Sequence, residues 1–196
     1  TKQALCFVFD RVTGEPVWPI VERPVPQSTV PGEQTALTQP IPTKPAPYDR
    51  QGLSEEDLID FTPELKNEAL EIVKEFDYGP LYTPPSVRGA IALPGLIGSS
   101  DWTGGAVHPG KGWIYIPSRT EAMVASVSKV EGAWSAYRGH RPSRLSGPQS
   151  LPITKPPYGR VTAIDLNTGE HVWTRTVGAG PVNHPALRDL DLPPLG

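Results

Sequence analysis

Cysteine is nearly absent from this 196-residue chain. With Cys6 alone, an intrachain disulfide and a cysteine zinc cluster are both excluded. Cys6 lies in the apolar run 4–9, where a buried, inert thiol is expected. No run of 18 apolar residues occurs, which excludes a transmembrane helix. Charge of one sign is also lacking: a formal −3 gives no electrostatic reason to expect nucleic acid or an anionic membrane. The four histidines, His108, His140, His171 and His184, are scattered without paired metal spacing. His171 sits inside a hairpin repeat and reads as a surface residue of that hairpin. Gly98-Ser99-Ser100-Asp101 lacks the strand and helix flanks of a nucleophile elbow. The basic run 138–144 has no interleaved aromatics for stacking bases and reads as a solvated loop. No secretory-leader pattern is read at residues 1–9, which are expected to lead straight into a strand. The chain reads as a piece of a longer protein, so missing targeting signals carry no weight.

Proline is what the chain has in excess: 25 residues, with 19 glycines, against about 5% proline in average usage. Much irregular backbone is expected. The aliphatic and Trp-bearing segments in between argue against disorder.

The most informative stretch is Ala163-Ile-Asp-Leu-Asn-Thr-Gly-Glu-His-Val-Trp173. It predicts a strand, a tight turn over Asn167-Thr168-Gly169, and a second strand ending in Trp. The pattern recurs as Val8-Phe-Asp10-Arg-Val-Thr13-Gly14-Glu15-Pro-Val-Trp18. Repetition of a hairpin with a terminal Trp is the mark of a propeller-like array. The repeats begin 155 positions apart, against about 40–45 residues per blade. At least one further blade is therefore expected between them, interrupted by insertions.

Strands are predicted over 4–9, 17–21, 86–93 and 123–130, with a hairpin over 106–116 that turns at Pro109-Gly110-Lys111-Gly112. A final hairpin spans 160–177. The segment 23–48 holds Pro24, Pro26, Pro31, Pro40, Pro42, Pro45 and Pro47. It cannot form a central strand and is read as a loop wrapping a scaffold. Two short helices follow. The first starts at the Ser54 cap and ends near Phe61. The second has a Thr62 cap, Pro63 at its first position, and Leu65, Ala69, Ile72, Val73 and Phe76 on one face. A glycine-rich loop covers 95–105, and 133–157 is read as a second, basic and proline-rich loop. The fold class is thus mostly β.

The repeat resembles the tryptophan-docking motif of the quinoprotein dehydrogenases, eight-bladed β-propellers that hold pyrroloquinoline quinone (PQQ). The stretch 19–28, Asp60-Phe61-Thr62-Pro63-Glu64-Leu65, Tyr82-Thr83-Pro84-Pro85-Ser86 and Asn183-His184-Pro185-Ala186-Leu187 are similar to the membrane-type glucose dehydrogenase branch. The likeness is weakest over 131–152. It implies that 1–196 is part of one propeller domain, with insertions at about 22–80 and 131–157.

The resemblance carries over residue by residue. A Lys ahead of a blade strand, matched by Lys2, reaches the ortho-quinone oxygens in the family; the alternative is a solvated lysine. An ammonium there would stabilise charge developing on the quinone. Asp101-Trp102-Thr103-Gly104-Gly105 matches the loop bordering the cofactor, with Asp101 where the family more often has Asn. Trp102 is then cofactor contact or ordinary blade packing. Trp18 and Trp173 are structural docking residues. His184 is a candidate for the substrate mouth, or else a loop anchor. No catalytic or metal-binding residue is expected in this chain. The family's base, an Asp upstream of the matching Lys, and its calcium ligands are expected outside it. Implied partners are a sugar or alcohol substrate, ubiquinone or a cytochrome as electron acceptor, and the remaining blades. Nucleic acid is not among them. The implied location is the periplasm, with an inner-membrane anchor outside this chain. An isolated piece of such an array exposes strand edges and is expected to be inactive. A non-enzymatic propeller that scaffolds protein assembly is the rival reading.

Overall fold

A computed structural model describes residues 1–102, 104–132 and 134–196. In chain order the strands are β1 (Ile20–Pro24), β2 (Thr38–Pro42), β3 (Ala90–Ala92), β4 (Ala106–His108), β5 (Trp113–Arg119), β6 (Met123–Ala125), β7 (Val127–Lys129), β8 (Tyr137–Gly139), β9 (Ser143–Arg144), β10 (Gly159–Asp165) and β11 (Glu170–Thr176). One α-helix, α1 (Pro63–Val73), lies between β2 and β3.

The predicted hairpin at 160–177 is β10–β11. The Asp165 carboxylate accepts from Asn167 N at 2.8 Å, and Gly169 N donates to Asp165 O at 2.7 Å. Gly169 sits at φ +74°, a left-handed position that glycine adopts without a Cβ penalty. A register shift after Ala163 places Trp173 opposite Ala163. Trp173 stacks on Tyr115 of β5 with ring centroids 5.6 Å apart. β10 is sandwiched between β11 and β5, so Thr162, Ala163 and Ile164 are fully buried. β4 completes an antiparallel sheet in the order β11-β10-β5-β4. Four antiparallel strands are the content of one propeller blade. The predicted hairpin at 106–116 supplies two of them.

The first repeat folds the same turn with fewer rungs. Asp10 Oδ1 accepts from Val12 N at 2.9 Å and Thr13 N at 2.8 Å, and Gly14 lies at φ +76°. Its arms join at the single Phe9–Pro16 bridge, whose two bonds run from Val17 N to Val8 O and from Asp10 N to Glu15 O. With one rung, the strand expected at 4–9 does not form, and of the one expected at 17–21 only Ile20 and Val21 fall in a strand, β1. Residues 2–3 make a turn, and regular pairing begins at Ile20.

The two repeats touch. A Cβ built on Gly169 would lie 3.0 Å from Trp18 Cζ2 and 3.0 Å from Lys44 Cβ. Trp18 thus docks on the turn of the second repeat. The expected blade between the repeats is not found at this contact. The long spacing instead arises because 20–105 and 120–158 run outside the four-stranded sheet.

Those outlying segments are more ordered than a wrapping loop. β1 and β2 form a two-stranded ribbon in which Glu22 faces Pro40 and Pro24 faces Thr38. Both strands are edges, where proline is tolerated. The ribbon is moored to the second repeat. Lys44 pairs with Glu170 and donates to Thr168 O at 3.3 Å, and His171 Nε2 lies 3.0 Å from Ala46 O. The helix expected at 54–61 is a single 3₁₀ turn, Glu55–Asp57. Asp57 Oδ2 accepts from Ser54 N at 2.9 Å and Ser54 Oγ at 2.7 Å. α1 begins as predicted: Thr62 Oγ1 accepts from Leu65 N at 3.3 Å, Pro63 opens the helix, and Leu65, Ala69 and Val73 are buried.

The strand expected at 86–93 is shortened to β3, because the chain bends at Gly89 (φ +97°). The predicted strand 123–130 splits into β6 and β7. The segment read as a loop over 133–157 contains β8, which pairs with β7, and β9, which pairs with β6. Ala133 itself lies outside the described residues.

The larger hydrophobic cluster belongs to these segments. Leu58, Ile59, Leu65, Ile91, Leu93, Leu151, Ile153 and Leu187 are its buried centre. Ile59 N donates to Ile153 O at 2.9 Å, joining its halves. A smaller cluster of Ala4, Tyr48, Ile116 and Ile164 sits under the four-stranded sheet.

Candidate functional site

Lys2 and Asp101 are brought to one loop. Gly98 takes φ +98°, and a Cβ there would lie 2.6 Å from Lys2 Cγ and 2.9 Å from Lys2 Cα. Only glycine lets Lys2 lie across this position. Ser99 N donates to Lys2 O at 2.9 Å, and Arg119 N donates to Ser99 O at 2.9 Å. Ser100 Oγ donates to Pro117 O at 2.6 Å. The loop is therefore stitched to residue 2 on one side and to the end of β5 on the other.

Three clefts open around it. One of about 310 Å³ is lined by Ser99, Ser100, Asp101 and Arg119. Another of about 230 Å³ takes in Lys2, Tyr82 and Leu96. A third of about 260 Å³ lies among Cys6, Tyr48, Asp101 and Ile114. Lys2 Nζ donates to Leu96 O at 3.2 Å. Among the described residues it forms no ion pair with a carboxylate. Its charge is thus available to an external anionic oxygen. Trp102 is 93% exposed and lines none of these clefts. Thr103 of the same motif lies outside the described residues.

His184 stands apart from this loop. Its Nδ1 accepts from Ala186 N at 3.2 Å, so Nε2 carries the proton toward Gln149 O at 3.1 Å. Both ring nitrogens tie loops together. Cys6 is only partly buried, yet burial still pushes its thiol above the ordinary value, which keeps it a poor nucleophile. Among the described residues no cluster of His, Cys, Asp and Glu could hold a metal ion.

Sequence reasoning missed a buried polar knot behind the loop. The Asp49 side chain is 1% exposed. It accepts from Ser99 Oγ at 2.5 Å, Thr120 Oγ1 at 2.5 Å and Arg50 N at 2.7 Å, and lies 3.0 Å from Arg160 Nη2. Arg160 Nη2 also donates to Pro157 O at 2.6 Å. No local pattern marks Asp49, which stands between Tyr48 and Arg50 in the proline-rich stretch.

A family model for the PQQ glucose/ethanol/alcohol dehydrogenase β-propeller domain matches residues 1–194. The chain belongs to this quinoprotein dehydrogenase family. It is 30% identical to quinoprotein glucose dehydrogenase A of Acinetobacter calcoaceticus, over all of this chain and 27% of that protein. It is 27% identical to the quinate/shikimate dehydrogenase (quinone) of Acinetobacter baylyi, over 91% of this chain and 25% of the relative. The glycerol dehydrogenase large subunit of Gluconobacter thailandicus is 28% identical over 94% of this chain and 29% of its own length. The chain thus spans about a quarter of the curated relatives it matches. Among quinoprotein dehydrogenases the implied cofactor is PQQ, a flat anionic ortho-quinone. The unpaired Lys2 ammonium on its glycine cradle fits such a group. No helix among the described residues is long and apolar enough to cross a membrane.

Proposed function

We propose that this chain forms one wall of the cofactor site in an eight-bladed, PQQ-dependent dehydrogenase that oxidises glucose or a related sugar, polyol or alcohol. The observation that carries the reading is Lys2: an ammonium without a carboxylate partner, laid across Gly98, in a chain matched to the family over 1–194. When bound, the quinone supplies the two-electron acceptor for alcohol oxidation. Lys2 holds negative charge at the quinone oxygens. Asp101 lies in the same loop, and the Trp102 ring beside it, which lines none of the three clefts, is left exposed for contact with the cofactor or a neighbouring blade. His184 anchors the loop at 181–187, which shapes the substrate side indirectly. Trp18 ties the first repeat to the turn of the second, and Trp173 braces its own sheet against Tyr115. The proton-accepting Asp and the calcium ligands belong to the remainder of the parent protein, as do contacts with ubiquinone or a cytochrome. The parent is periplasmic and held at the inner membrane.

The test is reconstitution of the full-length parent with PQQ and calcium. The expected result is bound-cofactor absorbance with sugar- or polyol-dependent dye reduction, a loss of about 100-fold or more in turnover for Lys2→Ala, and no turnover by residues 1–196 alone. A protein-assembly scaffold would give neither absorbance nor dye reduction. Dye reduction unaltered by Lys2→Ala would remove Lys2 from the site.

A further inference from the structure

Asp49 does more than fill a buried position. An acceptor-only carboxylate is the one short side chain that can take all the donors converging here: two hydroxyls, a guanidinium and a backbone N–H. A buried carboxylate without partners is strongly unfavourable, so the donors and the acid need one another. They come from separate segments. Ser99 belongs to the loop that bears Asp101, Thr120 follows β5, Arg160 lies in β10, and Asp49 itself lies in the proline-rich stretch.

Ser99 is the point where this knot meets the cofactor edge. Its hydroxyl is held by Asp49. Its backbone N–H holds the Lys2 carbonyl, and its carbonyl is held by Arg119 N. A shift of Ser99 therefore displaces Lys2 and the neighbouring Asp101 together. We propose that Asp49 is a positioning residue: through the Ser99 hydroxyl it fixes the 98–101 loop, and with it Lys2, in register for the quinone. This rests on the function proposed above. A displacement of about 1 Å in a positioned group can cost about 100-fold, so the leverage is large for a residue that touches no ligand.

The experiment uses the full-length apo-protein with calcium and titrates PQQ by quenching of tryptophan fluorescence. Thermal midpoints and hydrogen exchange at the Ser99 amide are measured in parallel. Asp49→Asn puts N–H groups where only acceptors fit. Ser99→Ala cuts the link to the loop while leaving Asp49 its Thr120, Arg160 and Arg50 partners. Both are expected to weaken PQQ binding by about 10- to 100-fold and to speed exchange at Ser99. Leu65→Ala, in the distant core, should lower the thermal midpoint with PQQ affinity unchanged. If Asp49→Asn does not fold, Ser99→Ala decides. Wild-type affinity in Ser99→Ala overturns the proposal, and so does an equal loss of affinity in Leu65→Ala. Failure of the wild-type protein to bind PQQ sinks the proposed function, and this inference with it.

Discussion

Gly14 and Gly169 occupy the same place in the two repeats and have nearly the same backbone, at φ +76° and +74°. Their surroundings differ. Nothing lies within 4 Å of a Cβ built on Gly14, whereas one on Gly169 meets Trp18 Cζ2 at 3.0 Å, Trp18 Cε2 at 3.1 Å and Lys44 Cβ at 3.0 Å. Replacing either glycine by alanine incurs the left-handed penalty of about 1–2 kcal/mol. Gly169→Ala adds overpacking against the docked indole, about 1–3 kcal/mol more. Hydrogen exchange of the two turns in the full-length protein reads the difference. At about tenfold per 1.4 kcal/mol, amides of the 165–171 turn should be accelerated more by Gly169→Ala than those of the 10–17 turn are by Gly14→Ala. In a Trp18→Ala background the excess should shrink, leaving the part due to Lys44 Cβ. Equal acceleration in the two turns would refute the docking argument, as would an excess that the removal of Trp18 leaves undiminished.

Leu65 is 2% exposed on the inner face of α1. Leu65→Ala is expected to cost about 2–5 kcal/mol, read by pulse proteolysis in urea; a loss below about 0.5 kcal/mol would place the helix outside the core. Burial pushes the Tyr158 phenol from 10.0 up to about 12. The native state then holds a proton that the unfolded chain releases, so this contribution to stability is complete below pH 10.0 and is lost as pH rises toward about 12. Ultraviolet titration of the phenolate against Tyr158→Phe checks it. Because the hydroxyl has no hydrogen-bond partner among the described residues, Tyr158→Phe should not destabilise the protein at neutral pH.

What could be read from sequence was local. The Asp165 and Asp10 carboxylates cap their own turns, so the hairpins were legible within a few residues. The start of α1 was legible for the same reason: Thr62 caps a helix that Pro63 opens. The strand at 4–9 was misread, and the one at 17–21 placed too early, because apolar alternation cannot show that the first repeat keeps a single rung. The segment 133–157 was read as loop because its strands of two and three residues are too short to show a period. Lys2 and the 95–105 loop were found through resemblance, and the structure brings them together. Asp49 was invisible because its hydroxyl partners lie 50 and 71 residues away, and no spacing rule reaches that far.

The scattered origin of the larger core has a consequence for synthesis. Leu58 and Ile59 leave the ribosome before Leu151, Ile153, Tyr158 and Leu187, the residues that cover them. Until those residues emerge, the first half of the core has nothing to close against. A nascent chain halted before Leu151 would hold α1 and the Leu58–Ile59 pair exposed, in the form that chaperones recognise and that aggregates when they are scarce. The β10–β11 hairpin, built from neighbours in sequence, can form as soon as it appears. The order of assembly thus reverses the order of the sequence: the later hairpin is ready at once, and the earlier helix waits for residues 151–187.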